Sequence, residues 1–367
     1  MNPDFKRVAI IGVGLIGGSL GMSLRSRELA GEVVGVESRV EDLRLGVELG
    51  AVDRYAASLA EGVPGADLVI IATPVSATLP VLREILPHLA PGAVVTDVGS
   101  TKAAVVQAAE NILPPEICFV GGHPMAGSEH NGVEGADPYL FENAFYLITP
   151  TPDTKPAALE KVKKLAVGVG AKVIEIGPGR HDLAVAAVSH LPHLLAAALV
   201  NTVARMPESD AVLPFAAGGF RDTTRIAAGS PLMWRDIFMT NRDQILKMIR
   251  DFRDELDVFE RSLQAGNMDI IQSNLAEARA ARVALPGKIK GYLPAIFEII
   301  LTVPDQPGII AGFAVCLAES GVNITNIEIL RVREGEGGTI RVGFATEQEQ
   351  ENAIRVLRGK GYTVRKK

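Results

Sequence analysis

The residues best equipped for chemistry in this chain lie in one nine-residue stretch, Gly121-Gly122-His123-Pro124-Met125-Ala126-Gly127-Ser128-Glu129. It brings together an imidazole able to accept a proton near neutral pH, the Glu129 carboxylate and a glycine-rich backbone. The preceding Ile117-Cys118-Phe119-Val120 reads as a short buried strand. Open α/β sheets bind their ligands beyond the carboxyl ends of the strands, so His123 is expected to face a cofactor. Taken alone, His123 suits a general base or a structural histidine at a turn. Glu129 suits a group that tunes the site or a solvated loop carboxylate.

A second stretch, Gly12-Val13-Gly14-Leu15-Ile16-Gly17, follows the strand-like Val8-Ala9-Ile10-Ile11 and opens a helix. In this context it reads as a dinucleotide fingerprint. Gly12 permits the tight turn, Gly14 lets the backbone approach a pyrophosphate, and Gly17 allows close packing of helix on strand. The N–H groups of the helix beginning near Leu15 and Ile16 then receive the anion. Glu37, closing the second strand, can bond a ribose 2′-hydroxyl and would repel a 2′-phosphate, which favours NAD over NADP; Arg39, two residues on, argues the other way. Thr73-Pro74-Val75 and Gly99-Ser100-Thr101 follow two further strands, so their backbones are expected to line the cofactor trough. Ser100 or Thr101 also suits a helix cap.

The elements that must hold these residues fall into three regions. At 367 residues the chain exceeds what one core usually organises. From Arg7 to about Ile176 short β-branched runs alternate with helical periods: Val8–Ile11, Val33–Val36, Leu68–Ile71, Ala93–Thr96, Ile117–Val120, Phe145–Ile148 and Lys172–Ile176, with a helix over Pro156–Val169. This pattern predicts a Rossmann-type, mostly parallel, doubly wound sheet as a dinucleotide-binding domain over residues 1–177. From 178 to 285 the chain reads as helices alone, including a long amphipathic run over Asn241–Gln264, and these apolar helices are expected to pack against a second subunit as a homodimer. A glycine, proline and lysine cluster around 286–295 reads as a linker. From 296 to 367 strands and helices recur as Phe297–Val303, Gly308–Ser320, Val322–Arg333, Gly338–Ala345, Glu347–Gly359 and Tyr362–Arg365, the βαββαβ order of a ferredoxin-like unit.

Composition excludes several classes. An apolar content of 47%, 22% charged residues and a net charge of −6 give no basic footprint for nucleic acid. Cys118 and Cys316 both lie in apolar runs and read as buried thiols of a reducing compartment. The N-terminus leads into a strand with no signal-like apolar run, which places the protein in the cytoplasm. Leu183–Ala204 carries no Lys, Arg, Asp or Glu and has the length of a membrane span. Its histidines, Pro192 and Asn201 favour a helix buried in a subunit core instead.

Gly99-Ser100-Thr101-Lys102, the His123 stretch, Ser189-His190-Leu191-Pro192-His193, Gly218-Gly219-Phe220-Arg221-Asp222-Thr223-Thr224-Arg225 and Trp234-Arg235-Asp236 recur in one order. In that order they resemble the prephenate and arogenate dehydrogenase family over roughly residues 6 to 285. The resemblance implies NAD-dependent oxidative decarboxylation of prephenate to 4-hydroxyphenylpyruvate on the route to tyrosine, with arogenate as the alternative substrate. It also implies roles: His123 as the base that takes the proton of the substrate hydroxyl, and Ser100 beside substrate and nicotinamide. His193 and Trp234 would lie against substrate, and Arg225 would bind a carboxylate, which its planar fork suits. Arg221 is a weaker candidate for the same task. His190 and His193, with Pro192 between them and no third ligand nearby, do not read as a metal site.

Asp305-Gln306-Pro307-Gly308 and Gly321-Val322-Asn323-Ile324 are similar to the ACT family of amino-acid-sensing domains. Asp305, Pro307, Gly308, Asn323 and Ile324 are thereby expected to grip an effector, with L-tyrosine the leading candidate. A purely structural ferredoxin-like unit is the bland alternative. A non-catalytic regulator responsive to NAD and an amino acid is the reading from a different class of function, and it predicts a decayed reacting centre.

Overall fold

The computed structural model describes residues 3–37, 40–127, 132–284, 297–304, 306–330 and 338–366. Ser128, Glu129, Arg39, Asp305 and the linker 286–295 lie outside the described residues. The chain divides into two compact units, Met1–Leu285 and Pro286–Lys367.

Among the described residues the first unit is organised by eight strands, of which the central ones are apolar until their ends. They are β1 (Val8–Ile11), β2 (Val33–Val36), β3 (Arg54–Ala56), β4 (Leu68–Ile71), β5 (Val94–Asp97), β6 (Cys118–Pro124), β7 (Phe145–Thr149) and β8 (Lys172–Glu175). All four residues of β1, β2, β4 and β5 are buried, as strands covered on both faces require. The sheet order is β3-β2-β1-β4-β5-β6-β7-β8, and every pairing is parallel except β6 with β7. Alternate side chains feed two cores. Val8 and Ile10 join Leu20, Leu24 and Val162 on one face, while Ala9 and Ile11 join Leu82, Ile85 and Val105 on the other. Each buried Leu, Ile or Val contributes roughly 1.5–3 kcal/mol, so the strand ends are held by a stiff support.

Short β3 was not anticipated. It has three residues, Tyr55 is exposed, and such a run carries no periodic signal. The remaining strands match the expectation within a few residues. β6 runs further than expected, through His123 to Pro124, because antiparallel pairing with β7 sets Gly121, Gly122, His123 and Pro124 opposite Thr149, Ile148, Leu147 and Tyr146.

Helices follow from Pro178. The long amphipathic helix spans Arg242–Gln264. The apolar helix runs without a break from Pro178 to Ala204 but contains a π turn at Ala186–His190. The expectation that it is buried in a subunit core is corrected: only 28% of its most apolar window is buried within the chain. The reason is that its neighbours cover one side. His181, Asp182, Val185, Ala186, His190, His193 and Ala196 point inward, whereas Leu183, Val188 and Leu199 are exposed.

In the second unit β9 (Phe297–Val303), β10 (Asn326–Leu330), β11 (Gly338–Phe344) and β12 (Thr363–Lys366) form an antiparallel sheet in the order β10-β11-β9-β12. The Ile309–Glu319 and Glu347–Gly359 helices pack Phe313, Leu317, Ala353 and Leu357 against Ile299, Leu301, Ile340, Val342 and Phe344. This is the ferredoxin-like arrangement expected from the sequence. β10 begins four residues later than the expected Val322, whose side chain is buried in the core before the strand starts. Cys118 and Cys316 are free thiols, partly buried at the edges of the two units' cores.

Candidate active site

The glycine turn after β1 shows three different constraints at its three glycines. Gly12 has φ of +95°, and a Cβ there would lie 2.8 Å from the Ala72 carbonyl carbon. At Gly17 a Cβ would lie 2.0 Å from the Gly12 carbonyl oxygen. Gly14 has nothing within 4 Å of its Cβ position. Turn and packing thus need Gly12 and Gly17, while Gly14 fronts open space at the start of the Leu15–Ser26 helix, which has no side-chain capping bond. Such a helix start suits a phosphate group. The neighbouring Thr73 has a buried hydroxyl without a hydrogen-bond partner among the described residues, and Pro74 is exposed where β4 leads into the next turn. Glu37 is half-buried directly after β2. The residues present therefore fit a dinucleotide.

Ser100 and His123 come from different strands and are brought to one place by a carboxylate. Asp97 ends β5, and its Oδ2 accepts from Gly99 N at 3.0 Å while its Oδ1 accepts from Gly122 N at 3.2 Å. Gly121 and Gly122 are required here, since a Cβ would lie 2.4 Å from Thr149 Oγ1 at the first and 2.8 Å from the Asp97 carbonyl oxygen at the second. Neither Ser100 nor Thr101 caps the helix that follows. The Asp182 carboxylate does so, accepting from Lys102 N at 2.8 Å and Ala103 N at 2.9 Å. Thr101 is buried and donates to Thr240 Oγ1 at 2.9 Å.

Asp182 also sets the tautomer of His123. It accepts two backbone N–H groups, so it acts as an acceptor toward His181 Nδ1 at 2.8 Å. A neutral His181 with its proton on Nδ1 has only a lone pair on Nε2, and that nitrogen lies 2.9 Å from His123 Nδ1. His123 Nδ1 must then donate, which leaves the lone pair of His123 on Nε2. Burial, His181, Lys102 and His190 hold the His123 pKa well below the ordinary 6.5, keeping this lone pair unprotonated. Asn241 closes the cluster, donating to the Asp182 carbonyl at 2.8 Å and reaching His190 Nδ1 at 3.1 Å.

His193 and Trp234 form a second group. Their rings stack at 3.6 Å between centroids and 12° between planes, and His190 meets the same Trp234 edge-on at 6.1 Å. Gly229 makes the stack possible, since a Cβ there would lie 2.7 Å from Trp234 Nε1. His193 Nδ1 is buried without a partner among the described residues, and burial lowers its pKa. His193 and Trp234 line a cavity of about 610 Å³ together with Ala227, Gly229 and Phe238. Arg225 is exposed at the head of the Arg225–Ala228 turn that supplies Ala227. Arg221 Nε donates to the Ala216 carbonyl at 3.0 Å.

Sequence reasoning missed Asp97, His181, Asp182 and Asn241 as parts of this centre. Adjacent His181 and Asp182, one helical turn into the first helix after Gly177-Pro178-Gly179, were the available signal. In the second unit Gly308 has φ of +89° and caps the Ile309–Glu319 helix; Pro307 and Asn323 are exposed, and Ile324 is half-buried against the core.

Three family models match in succession: the nucleotide-binding domain of prephenate dehydrogenase over residues 20–175, its dimerization domain over 177–277, and the ACT domain over 297–355. Prephenate dehydrogenase of Bacillus subtilis is 39% identical over 359 residues, 96% of each chain. A crystal structure of prephenate dehydrogenase from A. aeolicus, in complex with hydroxyphenyl propionate and NAD+, is 36% identical with a TM-score of 0.71, covering 77% of this chain and 98% of that one. Synechocystis arogenate dehydrogenase is 32% identical with a TM-score of 0.67, covering 76% and 99%. With these matches spanning the sheet, the helices and the terminal unit, the chain belongs to the prephenate dehydrogenase family of oxidoreductases and carries an ACT domain.

Proposed function

We propose that the chain oxidatively decarboxylates prephenate to 4-hydroxyphenylpyruvate with NAD. The observation that carries this reading is the hydrogen-bonded chain from Asp182 through His181 to His123, which leaves an unprotonated Nε2 on a strand end beside the Ser100 turn. Gly12, Gly14, Leu15, Ile16 and Gly17 would hold the pyrophosphate of NAD, Glu37 its ribose, and Thr73, Pro74, Ser100 and Thr101 would line its trough; the cofactor would supply the hydride acceptor. His123 Nε2 takes the proton of the substrate hydroxyl as the C–O bond gains double-bond character and the hydride leaves the same carbon. The ring carboxylate departs as carbon dioxide, its bonding pair completes the aromatic ring, and His123 returns the proton to the phenolic oxygen. Ser100 orients the hydroxyl, Arg225 and His193 meet the carboxylates, and Trp234 with the glycine-backed stack keeps His193 in place. Glu129, outside the described residues, keeps its expected role of tuning or shielding this site.

Replacement His123→Asn should lower kcat by at least about a hundredfold with NAD affinity little changed. An unaltered kcat would remove His123 from the role of base. Equal kcat/KM with NAD and NADP would overturn the preference assigned to Glu37. Prephenate is favoured over arogenate by the full-length B. subtilis relative. Parallel assays with both substrates decide this, because arogenate carries an ammonium where prephenate carries a keto group.

The helices of residues 178–285 are assigned to a homodimer interface, supported by the exposed Leu183, Val188 and Leu199 on a helix that is otherwise apolar. The terminal unit is assigned to feedback inhibition by L-tyrosine, gripped by Pro307 and Gly308 before the Ile309–Glu319 helix and by Asn323 and Ile324 after it, with Asp305, outside the described residues, keeping its expected part. Free thiols at Cys118 and Cys316 suit a cytoplasmic setting.

A further inference from the structure

Lys102 has the charge that a dianionic substrate calls for, yet it is placed where no substrate can reach it. It is fully buried, and its ammonium is paired with the equally buried Asp97. Two glycines make its slot: a Cβ at Gly121 would lie 3.2 Å from Lys102 Cδ, and one at Gly99 would lie 3.5 Å from Lys102 Nζ. Its own backbone N–H donates to Asp182 Oδ1 at 2.8 Å, on the carboxylate that holds His181. One residue therefore touches both supports of the centre, Asp97 beneath Ser100 and His123, and Asp182 behind His181.

A buried ion pair is a poor way to gain stability. Desolvation costs several kcal/mol per ion, and well-packed apolar replacements are often neutral or stabilising. Among the described residues the Asp97 carboxylate meets N–H donors from Gly99, Gly122 and Lys102, an arrangement that satisfies a carboxylate and holds the ammonium beside the glycines on either side of it.

Resting on the reading of His123 as the base, we propose that Lys102 is a positioning residue for the reaction: its ion pair with Asp97 locks the Ser100 turn to the His123 strand and sets a buried positive charge beside the Gly121-Gly122 segment that leads into His123. The groups that face His123 are Lys102 at the start of the Ala103–Ile112 helix, Asp97 on β5, and His181, Asp182 and His190 on the Pro178–Ala204 helix. Lys102, His181 and His190 all disfavour protonation of His123, while the Asp97 and Asp182 carboxylates are occupied by N–H donors.

The test is the pH dependence of kcat/KM for prephenate at saturating NAD, measured on the full chain for wild type, Lys102→Met and the double variant Asp97→Asn/Lys102→Met. In Lys102→Met the acid limb should move up by about one pH unit, the effect of one nearby charge, and kcat should fall. The double variant leaves no buried charge unpaired, so it decides the matter if the single variant fails to fold; its acid limb should also move up. Folded variants whose acid limb stays at the wild-type pH would overturn the proposal, leaving Lys102 a purely structural pin. Failure of the underlying reading shows differently: kcat would survive His123→Asn, or the wild type would lack an acid limb altogether.

Discussion

At the scale of single residues, the important geometry of His123 lies on the side turned away from substrate. Its Nδ1 is committed to His181, and His181 is committed to Asp182, so basicity is presented on Nε2 alone. In Asp182→Asn the side chain can offer an N–H to His181 Nδ1, which reverses the chain of donors. We expect kcat to fall by at least about tenfold with NAD binding retained, as steady-state kinetics and a binding titration would show; full activity would disprove the relay. Because His123 titrates well below 6.5, kcat/KM should stay level from neutral pH down to 6.5 and fall only below it. His123 itself was legible in the sequence, since glycines, histidine and a preceding strand make a recognisable phrase. Asp97 was not, because it reads as the polar end of a β-branched run, and Gly122, which ties it to the His123 strand, is brought to it only by the folded sheet.

Among the elements, the sheet was largely legible and the helices only in part. Strands buried on both faces announce themselves by unbroken apolar runs, whereas the inward and outward faces of the Pro178–Ala204 helix cannot be told apart in a segment that is apolar all round. The π turn at Ala186–His190 also leaves no mark in composition. At the opening of the first helix, Gly17→Ala would place a methyl against the Gly12 carbonyl, so we expect a loss of about 1–3 kcal/mol in stability and weakened NAD binding, measured by chemical denaturation and titration. Burial lowers the pKa of His190 from 6.5 to about 4. The unfolded chain then takes up a proton before the folded one as pH falls, so stability is present above 6.5 and is lost between 6.5 and about 4. A Tm that stays level across that interval would contradict this.

For the molecule as a whole, the exposed apolar surface of residues 178–285 is the property that a single copy leaves unexplained. Val188 is 72% exposed and Phe215 84% exposed. Val188→Asp should cost a lone subunit little, within about 0.5 kcal/mol for a surface position, yet shift sedimentation from dimer to monomer; an unchanged dimer would remove this helix face from the interface. Deletion after Leu285 follows the boundary between the two compact units and should abolish inhibition by L-tyrosine while leaving dehydrogenase activity. Inhibition that survives the deletion would place the effector elsewhere.

The carboxylate of Asp182 reaches back some eighty residues to cap the helix at Ala103 and to hold His181 behind His123, and Asn241 in turn fastens its backbone. For a chain emerging from the ribosome this has a temporal meaning. The sheet segment that carries His123 is made first, but its base has no fixed tautomer until residues 181 to 241 have been synthesised and docked. A nascent or truncated chain that has folded only its sheet would therefore hold nucleotide without turning it over.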